Sequence, residues 1–216
     1  MCSSDLVEFA VSLGAEGRPA EAALLELRPL SGVGYEEVDL APLEARDDVF
    51  CRGTALGNGV IEGLRDVVYL HPDRLKLSTT RRLVGVIEKL NHRLNKENRP
   101  YLLIGPGRWG TSDPWMGIPV VWSQVSGARA IVELELPNSG VEPSLGTHFF
   151  HNLATLRVGY FCLNAKGGHP IDLAWLEQLP PVSETLGIRH VVLPHPLTVH
   201  LDGARGQGLI LRGAAG

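Results

Sequence analysis

Apolar runs separated by glycine- and proline-rich stretches divide this chain into short strands and a few helices. The clearest helix is predicted over 79–98, with Ser78 or Thr79 available as the N-cap. Its apolar face repeats at helical spacing and consists of Leu83, Val84, Ile87, Leu90 and Leu94. Shorter helices are predicted over 147–156 and 172–179.

Strands are predicted where alternating or wholly apolar runs end at turn residues. They cover 7–13, 22–30, 66–70, 101–104, 128–136, 158–163, 190–193, 197–201 and 209–212. The first two and the last two are spaced as hairpins. Strands alternating with a few helices indicate an α/β fold with a mixed sheet, and an α+β fold is the alternative. The acidic stretch 31–48 is predicted to be a linker, with a domain boundary near residue 45.

Composition narrows the function classes. A net charge of -4 gives no electrostatic reason to expect a nucleic acid or an anionic membrane as partner. No apolar run approaches the roughly 20 residues that a membrane-spanning helix needs. The cysteines are few and scattered, at Cys2, Cys51 and Cys162, which favours a reducing cytoplasm over a disulfide framework or a cysteine zinc site.

The most distinctive stretch is YLLIGPGRWGTSDPWMGIPVVW, residues 101–122, in which an apolar strand runs into a loop rich in Gly, Arg and Trp. Glycines let a backbone approach a ligand closely, and the planar fork of arginine suits carboxylate or phosphate. Loops on rigid scaffolds often carry binding sites. The candidate site residues of this loop are Gly105, Gly107, Arg108 and Asp113. The competing interpretation is a structural turn whose Trp109 and Trp115 fill a core.

Charged residues on the two N-terminal strands form a second candidate site. Glu8 lies on the first strand, and alternation places Glu26 and Arg28 on one face of the second. Carboxylates on adjacent strands can hold Mg²⁺, and a nearby arginine can hold the phosphates of a nucleotide. The competing interpretation is the ordinary polar face of a hairpin.

Histidines supply a third candidate. His148 and His151 lie three residues apart on the predicted helix after Gly146, but no third ligand at a suitable spacing supports a zinc site. His148, just after a Gly-Thr turn, can instead be a nucleophile or phosphate carrier. A buried structural histidine is the alternative.

The motifs IGPGRWGTSDPWMGIPVVWSQVSGARAIVE (104–133) and PSLGTHFFHNLATLRVGYF (143–161) resemble the C-terminal region of large bacterial proteins of the phosphoenolpyruvate synthase or pyruvate, phosphate dikinase type. These proteins have a PEP/pyruvate-binding domain. The resemblance extends through ALGNGVIEGLRDVVYL (55–70) and the closing hairpin, so it covers almost everything after Leu6.

This resemblance implies an ATP-dependent phosphotransferase that uses ATP and Mg²⁺. The ATP-grasp domain of that family closes with a Glu strand followed by a Gln-x-Arg-Pro strand. Glu8 and Arg28 match this pattern, while Glu26 stands where glutamine is usual. Under the resemblance Glu8, Glu26 and Arg28 bind the nucleotide, and Glu8 and Glu26 hold the metal.

The same resemblance assigns roles to the other candidates. The Gly-Gly-x-Thr-Ser-His motif of the family's phosphocarrier domain is absent, but Thr147-His148 before a helix and a strand is loosely similar to its setting. His148 is therefore the phosphocarrier candidate, with Arg108 and Asp113 beside it. The implied partner is a small phosphoryl acceptor, with pyruvate the one that the family name suggests.

Residues 1–6, MCSSDL, resemble a translated sequencing adapter, so we expect the authentic chain to begin at Val7 and to be the tail of a longer protein. Residues 7–45 would then end an ATP-grasp domain plus linker, and 46–216 would form a C-terminal α/β domain. The fragment alone is expected to be inactive. The rival hypothesis is a non-catalytic module that binds an anion or a partner through its aromatic and arginine side chains.

Overall fold

The computed structural model describes residues 5–14, 19–29, 38–111, 113, 115–135, 153, 156–163 and 171–213. The chain forms two compact units, Met1–Glu36 and Glu37–Gly216. The division falls after Glu36, whereas a boundary near residue 45 was predicted from the sequence. The second unit therefore includes much of the stretch that was predicted to be a linker, and a short helix, α1 (Ala41–Glu44), lies within it.

The first unit contains an antiparallel hairpin of β1 (Asp5–Leu13) and β2 (Pro19–Pro29), which confirms the predicted N-terminal hairpin. Its register pairs position 8 with position 26 and position 6 with position 28. A bulge follows Glu8 and shifts the register of the remaining pairs.

The second unit is built on a mixed sheet with few helices, as predicted. Its strands are β3 (Val49–Leu56), β4 (Gly59–Leu70), β5 (Tyr101–Pro106), β6 (Arg108–Trp109), β7 (Gly117–Ile118), β8 (Ala128–Leu134), β9 (Gly159–Leu163), β10 (Ser183–Thr185), β11 (Ile188–Asp202) and β12 (Gln207–Leu211). Seven of them close into a barrel in the order β4-β5-β8-β9-β3-β12-β11, because β11 also pairs with β4. The pairs β4–β5, β5–β8 and β8–β9 are parallel, and the remaining barrel pairs are antiparallel.

Alternate side chains of the barrel strands point inward and form its core. Val67, Leu102, Val132 and Phe161 belong to this core, and each has at most 1% of its surface exposed. The short helix α3 (Leu173–Gln178) adds Leu176 to the same core. Asp172 begins this helix, and its carboxylate accepts a hydrogen bond from Trp175 N–H.

The outer face of the parallel strands is covered by α2 (Thr80–Lys96), which confirms the helix predicted over 79–98. Leu83, Ile87, Leu90 and Leu94 are buried against outward-facing side chains of β4, β5, β8 and β9. Thr79 is the N-cap, but its hydroxyl donates to the Lys76 carbonyl and does not cap the helix. The predicted N-cap position is therefore confirmed, although its side chain makes no capping hydrogen bond.

Two predicted strands near the C-terminus are one continuous strand. β11 runs through Pro194-His195-Pro196, and its register with β4 shifts between Val192 and Leu197. Arg65 on β4 donates to the carbonyls of Leu193 and Pro194 at this irregularity. The strand can contain two prolines because they lie at a bulge, where the backbone does not need to donate hydrogen bonds to the neighbouring strand.

Candidate functional site

The parallel strands β4, β5, β8 and β9 all end at one edge of the barrel, which we call the carboxyl edge. It is marked by Leu70, Pro106, Leu134 and Leu163. In α/β sheets, ligands commonly bind outside the carboxyl ends of parallel strands. The Gly-Pro-Gly-Arg segment runs from the end of β5 into β6 at this edge, and Glu135 follows β8. Tertiary structure thus places the predicted loop where a ligand site is expected.

Trp109 anchors this loop in the outer core. The residue is 2% exposed, and its backbone N–H donates to Glu133 Oε1 at 2.8 Å. Its indole Nε1–H points at the Val132 carbonyl, 3.4 Å away. The ring packs on Gly105, where an added Cβ would lie 2.5 Å from the indole. Trp109 is therefore a core residue, as the structural-turn interpretation expected of it.

Gly105 and Gly107 were predicted to let the backbone approach a ligand, but in the structure they pack against other parts of the protein. The space beside Gly105 is filled by the Trp109 ring rather than open to a ligand. Gly107 has a φ of 73°, which favours glycine, and its N–H donates to the Leu134 carbonyl at 2.8 Å. Both glycines serve the close packing of the loop on β8.

Arg108 is held by its backbone on both sides. Its N–H donates to the Met116 carbonyl at 2.8 Å, and the following peptide is held by Glu133. β6 pairs with β7, and Gly117 lies so close that a Cβ there would be 2.0 Å from the Arg108 carbonyl oxygen. Arg108 itself is half-buried. The loop thus presents this side chain from a fixed backbone.

Arg108, Glu133 and Glu135 all lie close enough to Cys162 for their charges to affect the pKa of its thiol. Burial, followed by the negative charges of Glu133 and Glu135, raises the pKa of the Cys162 thiol to about 11, and the positive charge of Arg108 partly opposes this rise. Glu133 and Cys162 are partners in the β8–β9 register. Arg108, Glu133, Glu135 and Cys162 therefore share one region at the carboxyl edge. Arg108, Glu133, Glu135 and Tyr160 each make a further interaction besides those described.

Glu133 and Tyr160 form the most buried polar pair of this region. Glu133 is 3% exposed and Tyr160 is 1% exposed, and the Tyr160 hydroxyl donates to Glu133 Oε2 at 2.5 Å. Neither residue was predicted as a site residue from the sequence. The available signal was a carboxylate that directly follows the apolar run Ala-Ile-Val (130–132) in the strand ARAIVEL, because a parallel strand covered on both faces seldom contains an acid.

Asp113 lies at the exposed tip of the loop. Its Oδ1 accepts the Trp115 N–H at 2.9 Å, and its own N–H donates to Thr111 Oγ1. These contacts are those of an Asx turn, which closes the tip of the loop. The neighbouring Trp115 is 71% exposed, so the prediction that it could fill a core is wrong.

His148 and His151 lie outside the described residues, as does most of the helix predicted over 147–156. Leu153 is helical and buried, and its carbonyl accepts the Val158 N–H at 3.0 Å. Arg157 between them has a φ of 54°. A left-handed residue inside such a hydrogen bond is typical of the C-terminus of a helix.

The side chains of Glu8, Glu26 and Arg28 also lie outside what is described, although the backbone register of their hairpin is known. They belong to the first unit, Met1–Glu36. Within the part of the chain that the structure describes, no cluster of three or more His, Cys, Asp or Glu residues is arranged to hold a metal ion. None of the described helices is long and apolar enough to cross a membrane.

A second buried polar network lies at the opposite ends of the parallel strands. Asp66 is 4% exposed and accepts hydrogen bonds from Arg99 Nε and Nη2 and from the His190 ring at 2.6 Å. Arg93 Nη2 lies 2.9 Å from His190 Nδ1. Because arginine can only donate, Nδ1 accepts and Nε2–H donates to Asp66.

This network lowers the pKa of the Asp66 carboxyl group. Burial on its own would raise the pKa of the carboxyl group, but the hydrogen bonds from His190 and Arg99 outweigh it and hold the pKa below its ordinary value. The network ties β4 and β11 to α2 and to the turn before β5. We therefore assign it to stability.

A third network of polar side chains lies beside α3. Arg189 donates to the Tyr69 hydroxyl at 2.6 Å and pairs with Glu177, while Tyr69 donates to Glu177 Oε1. Arg74 pairs with Glu177 and Glu184. Arg189 Nε lies 3.2 Å from Glu184 Oε2 without hydrogen-bond geometry. Burial first and Glu177 second raise the pKa of Tyr69, so its hydroxyl stays protonated.

Comparison with protein-family models, with curated proteins and with solved structures finds no match for this chain.

The alkylation rate of Cys162 should report the charges at the carboxyl edge. With a pKa of about 11, the thiol is expected to react slowly with iodoacetamide at pH 8. Arg108→Gln should slow the reaction by removing the positive charge, and Glu135→Gln should accelerate it by removing a negative one. Mass spectrometry of the Cys162 peptide against pH measures each pKa, with buried Cys51 as an internal unreactive control. The same rate in all three proteins would contradict this charge arrangement.

Proposed function

We propose that the chain is the C-terminal part of an ATP-dependent phosphotransferase that resembles phosphoenolpyruvate synthase and pyruvate, phosphate dikinase. In this proposal the second unit presents Arg108 to a phosphorylated ligand at the carboxyl edge. The first unit completes a nucleotide-binding domain of the ATP-grasp type that uses ATP and Mg²⁺. The phosphoryl acceptor is a small molecule in the cytoplasm, and pyruvate is the first to test. The preceding part of the polypeptide supplies the rest of the ATP site, so the chain alone is expected to be inactive.

The placement of Arg108 is the observation that carries this proposal. Its backbone is held by Met116 and, through the next peptide, by Glu133, at the edge where parallel strands end. Phosphoryl transfer depends mainly on positioning and on neutralising charge. A guanidinium fixed in this way is suited to both tasks.

The register of the first unit supports the nucleotide-site part. Position 8 lies directly opposite position 26, and position 28 is two residues further along the same strand. Directly opposite positions of an antiparallel pair share a face. Glu8 and Glu26 are therefore proposed as Mg²⁺ ligands and Arg28 as a phosphate ligand, because Mg²⁺ prefers carboxylate oxygens and arginine forms bidentate pairs with phosphate.

His148 is the proposed phosphocarrier, and phosphate transfer tests it. The longer parent protein is incubated with ATP labelled in the β- or γ-phosphate, and acid-labile label on the protein is measured. We expect His148→Ala to abolish the label and His151→Ala, a histidine three residues away, to retain it. Label that is unchanged in His148→Ala would contradict the phosphocarrier assignment and would place the chemistry in the preceding part of the protein.

The exposed loop tip favours a second candidate function, a non-catalytic binding module. Trp115 is 71% exposed, and the neighbouring Asp113 is also exposed. Exposed tryptophan and arginine are enriched among residues that dominate binding interfaces. If label transfer survives both His148→Ala and Arg108→Gln, this regulatory role becomes the better explanation of the second unit.

A further inference from the structure

Glu133 connects the Arg108 loop to the wall of the barrel through two hydrogen bonds. One carboxylate oxygen accepts the Trp109 N–H at 2.8 Å, and the other accepts the Tyr160 hydroxyl at 2.5 Å. The residue is 3% exposed. A carboxylate buried to this extent is costly to desolvate unless donors satisfy it. An apolar residue would be the simpler solution for a position that only fills space.

The hydrogen bond to Trp109 acts directly on Arg108. The N–H of Trp109 belongs to the peptide group that joins it to Arg108, and a peptide group is planar. Fixing this N–H therefore fixes the carbonyl of Arg108 as well. On its other side, Arg108 N–H is held by the Met116 carbonyl. Glu133 thus supplies one of the two restraints that orient the Cα–Cβ bond of Arg108.

The position of Glu133 links this restraint to the ligand edge. Glu133 is paired with Cys162 in the β8–β9 register, and the Arg108 charge acts on the thiol of Cys162. The carboxylate and the guanidinium therefore lie in one region, with the barrel strands as a rigid support. Tyr160, on the neighbouring strand, holds the carboxylate in turn.

We propose that Glu133, held by Tyr160, is a positioning residue that orients Arg108 for binding a phosphoryl group at the carboxyl edge. This inference rests on the proposed function, in which Arg108 is the anion ligand. Glu133 acts through the 108–109 peptide and does not itself touch the ligand. This role requires an oxygen at position 133 that accepts the Trp109 N–H, and it does not require the negative charge of the carboxylate. The amide oxygen of glutamine should therefore fill the same role.

Binding of inorganic pyrophosphate to the 216-residue chain, measured by calorimetry, tests the inference. We expect Arg108→Gln to remove binding and Glu133→Leu to weaken it by about 10-fold or more, since small misplacements of a binding group have large effects. Glu133→Gln should restore the affinity to within about threefold of the wild type, because its amide oxygen can accept the Trp109 N–H. A residue needed only for stability would lower the melting temperature and leave the affinity of the folded protein unchanged.

Glu133→Asp covers the case in which Glu133→Leu does not fold. It keeps the charge but withdraws the acceptor by one methylene, and it should weaken pyrophosphate binding more than Glu133→Gln does. If Arg108→Gln weakens binding while Glu133→Asp and Glu133→Leu leave it unchanged, the positioning role is wrong and the proposed anion site stands. Two results would contradict the proposed function at this site: no binding of pyrophosphate to the wild type, or binding no tighter than that of the Arg108→Gln variant. In either case the positioning role of Glu133 fails as well.

Discussion

Replacing Asp66 with alanine is expected to destabilise the barrel unit by about 3 kcal/mol, near the lower end of the range for breaking a buried ion pair. The substitution leaves His190, which is fully buried, without its acceptor, and it leaves Arg99 without its carboxylate partner. The lower end applies because the Arg99 side chain is 36% exposed, so water partly solvates its charge after the loss.

Urea unfolding followed by circular dichroism measures this effect. Asp73→Ala is the matched control, since Asp73 also pairs with a histidine but its side chain is 89% exposed. Its effect should stay within about 0.5 kcal/mol. A loss of less than 1 kcal/mol in Asp66→Ala would show that the buried network adds little to the fold.

The difference in the free energy of unfolding between the wild type and Asp66→Ala is expected to depend on pH. The native environment holds the pKa of Asp66 below its ordinary value of 3.8, so the ionised carboxylate stabilises the folded state above that pH. This contribution is lost as the pH falls through the lowered native pKa. The difference in stability between wild type and Asp66→Ala should therefore be constant near neutral pH and shrink on acidification below about pH 4.

Replacing Trp109 with alanine is expected to lower the free energy of unfolding by about 3–5 kcal/mol. The ring is buried on Gly105 at the junction of the loop and the outer core, and its removal leaves a cavity beside β5 and β8. The loop should also lose its fixed position, because the indole is one of its attachments to β8.

Trp115→Ala supplies the matched control for this substitution. It removes the same side chain from the same loop, but at a position that is 71% exposed, so its effect on stability should stay within about 0.5 kcal/mol. Urea unfolding measures both variants, and pyrophosphate titration shows whether Trp109→Ala also weakens binding. Similar losses of stability in the two variants would contradict the assignment of Trp109 to the core.

Local patterns were sufficient where one element decides its own structure. The aliphatic stripe of α2 predicted both the helix and its buried face, because helical periodicity and burial coincide there. Alternating residues around two turns predicted the hairpins β1–β2 and β11–β12. The continuous path of β11 was missed because Pro194 and Pro196 are ordinarily signals that end a strand.

Only part of the candidate site could be predicted from the sequence, because the rest depends on contacts between distant segments. Gly105 to Arg108 stood out as a loop whose composition is expensive to order, and the structure places it at the carboxyl edge. The split between a buried Trp109 and an exposed Trp115 depends on what each ring meets in space, which identical side chains six residues apart do not reveal. Glu133 was not predicted, because its two donors, the Trp109 N–H and the Tyr160 hydroxyl, come from other segments of the chain.

The sequence by itself determined the mixed sheet, the helix α2 and the loop that carries Arg108, because these follow from periodicity and turn chemistry between near neighbours. Only the tertiary structure decided that β11 closes the sheet into a barrel and that Glu133, Tyr160 and Trp109 meet behind Arg108. Such contacts join residues far apart in the chain, and their free energy depends on burial and on hydrogen-bond partners that no local pattern encodes.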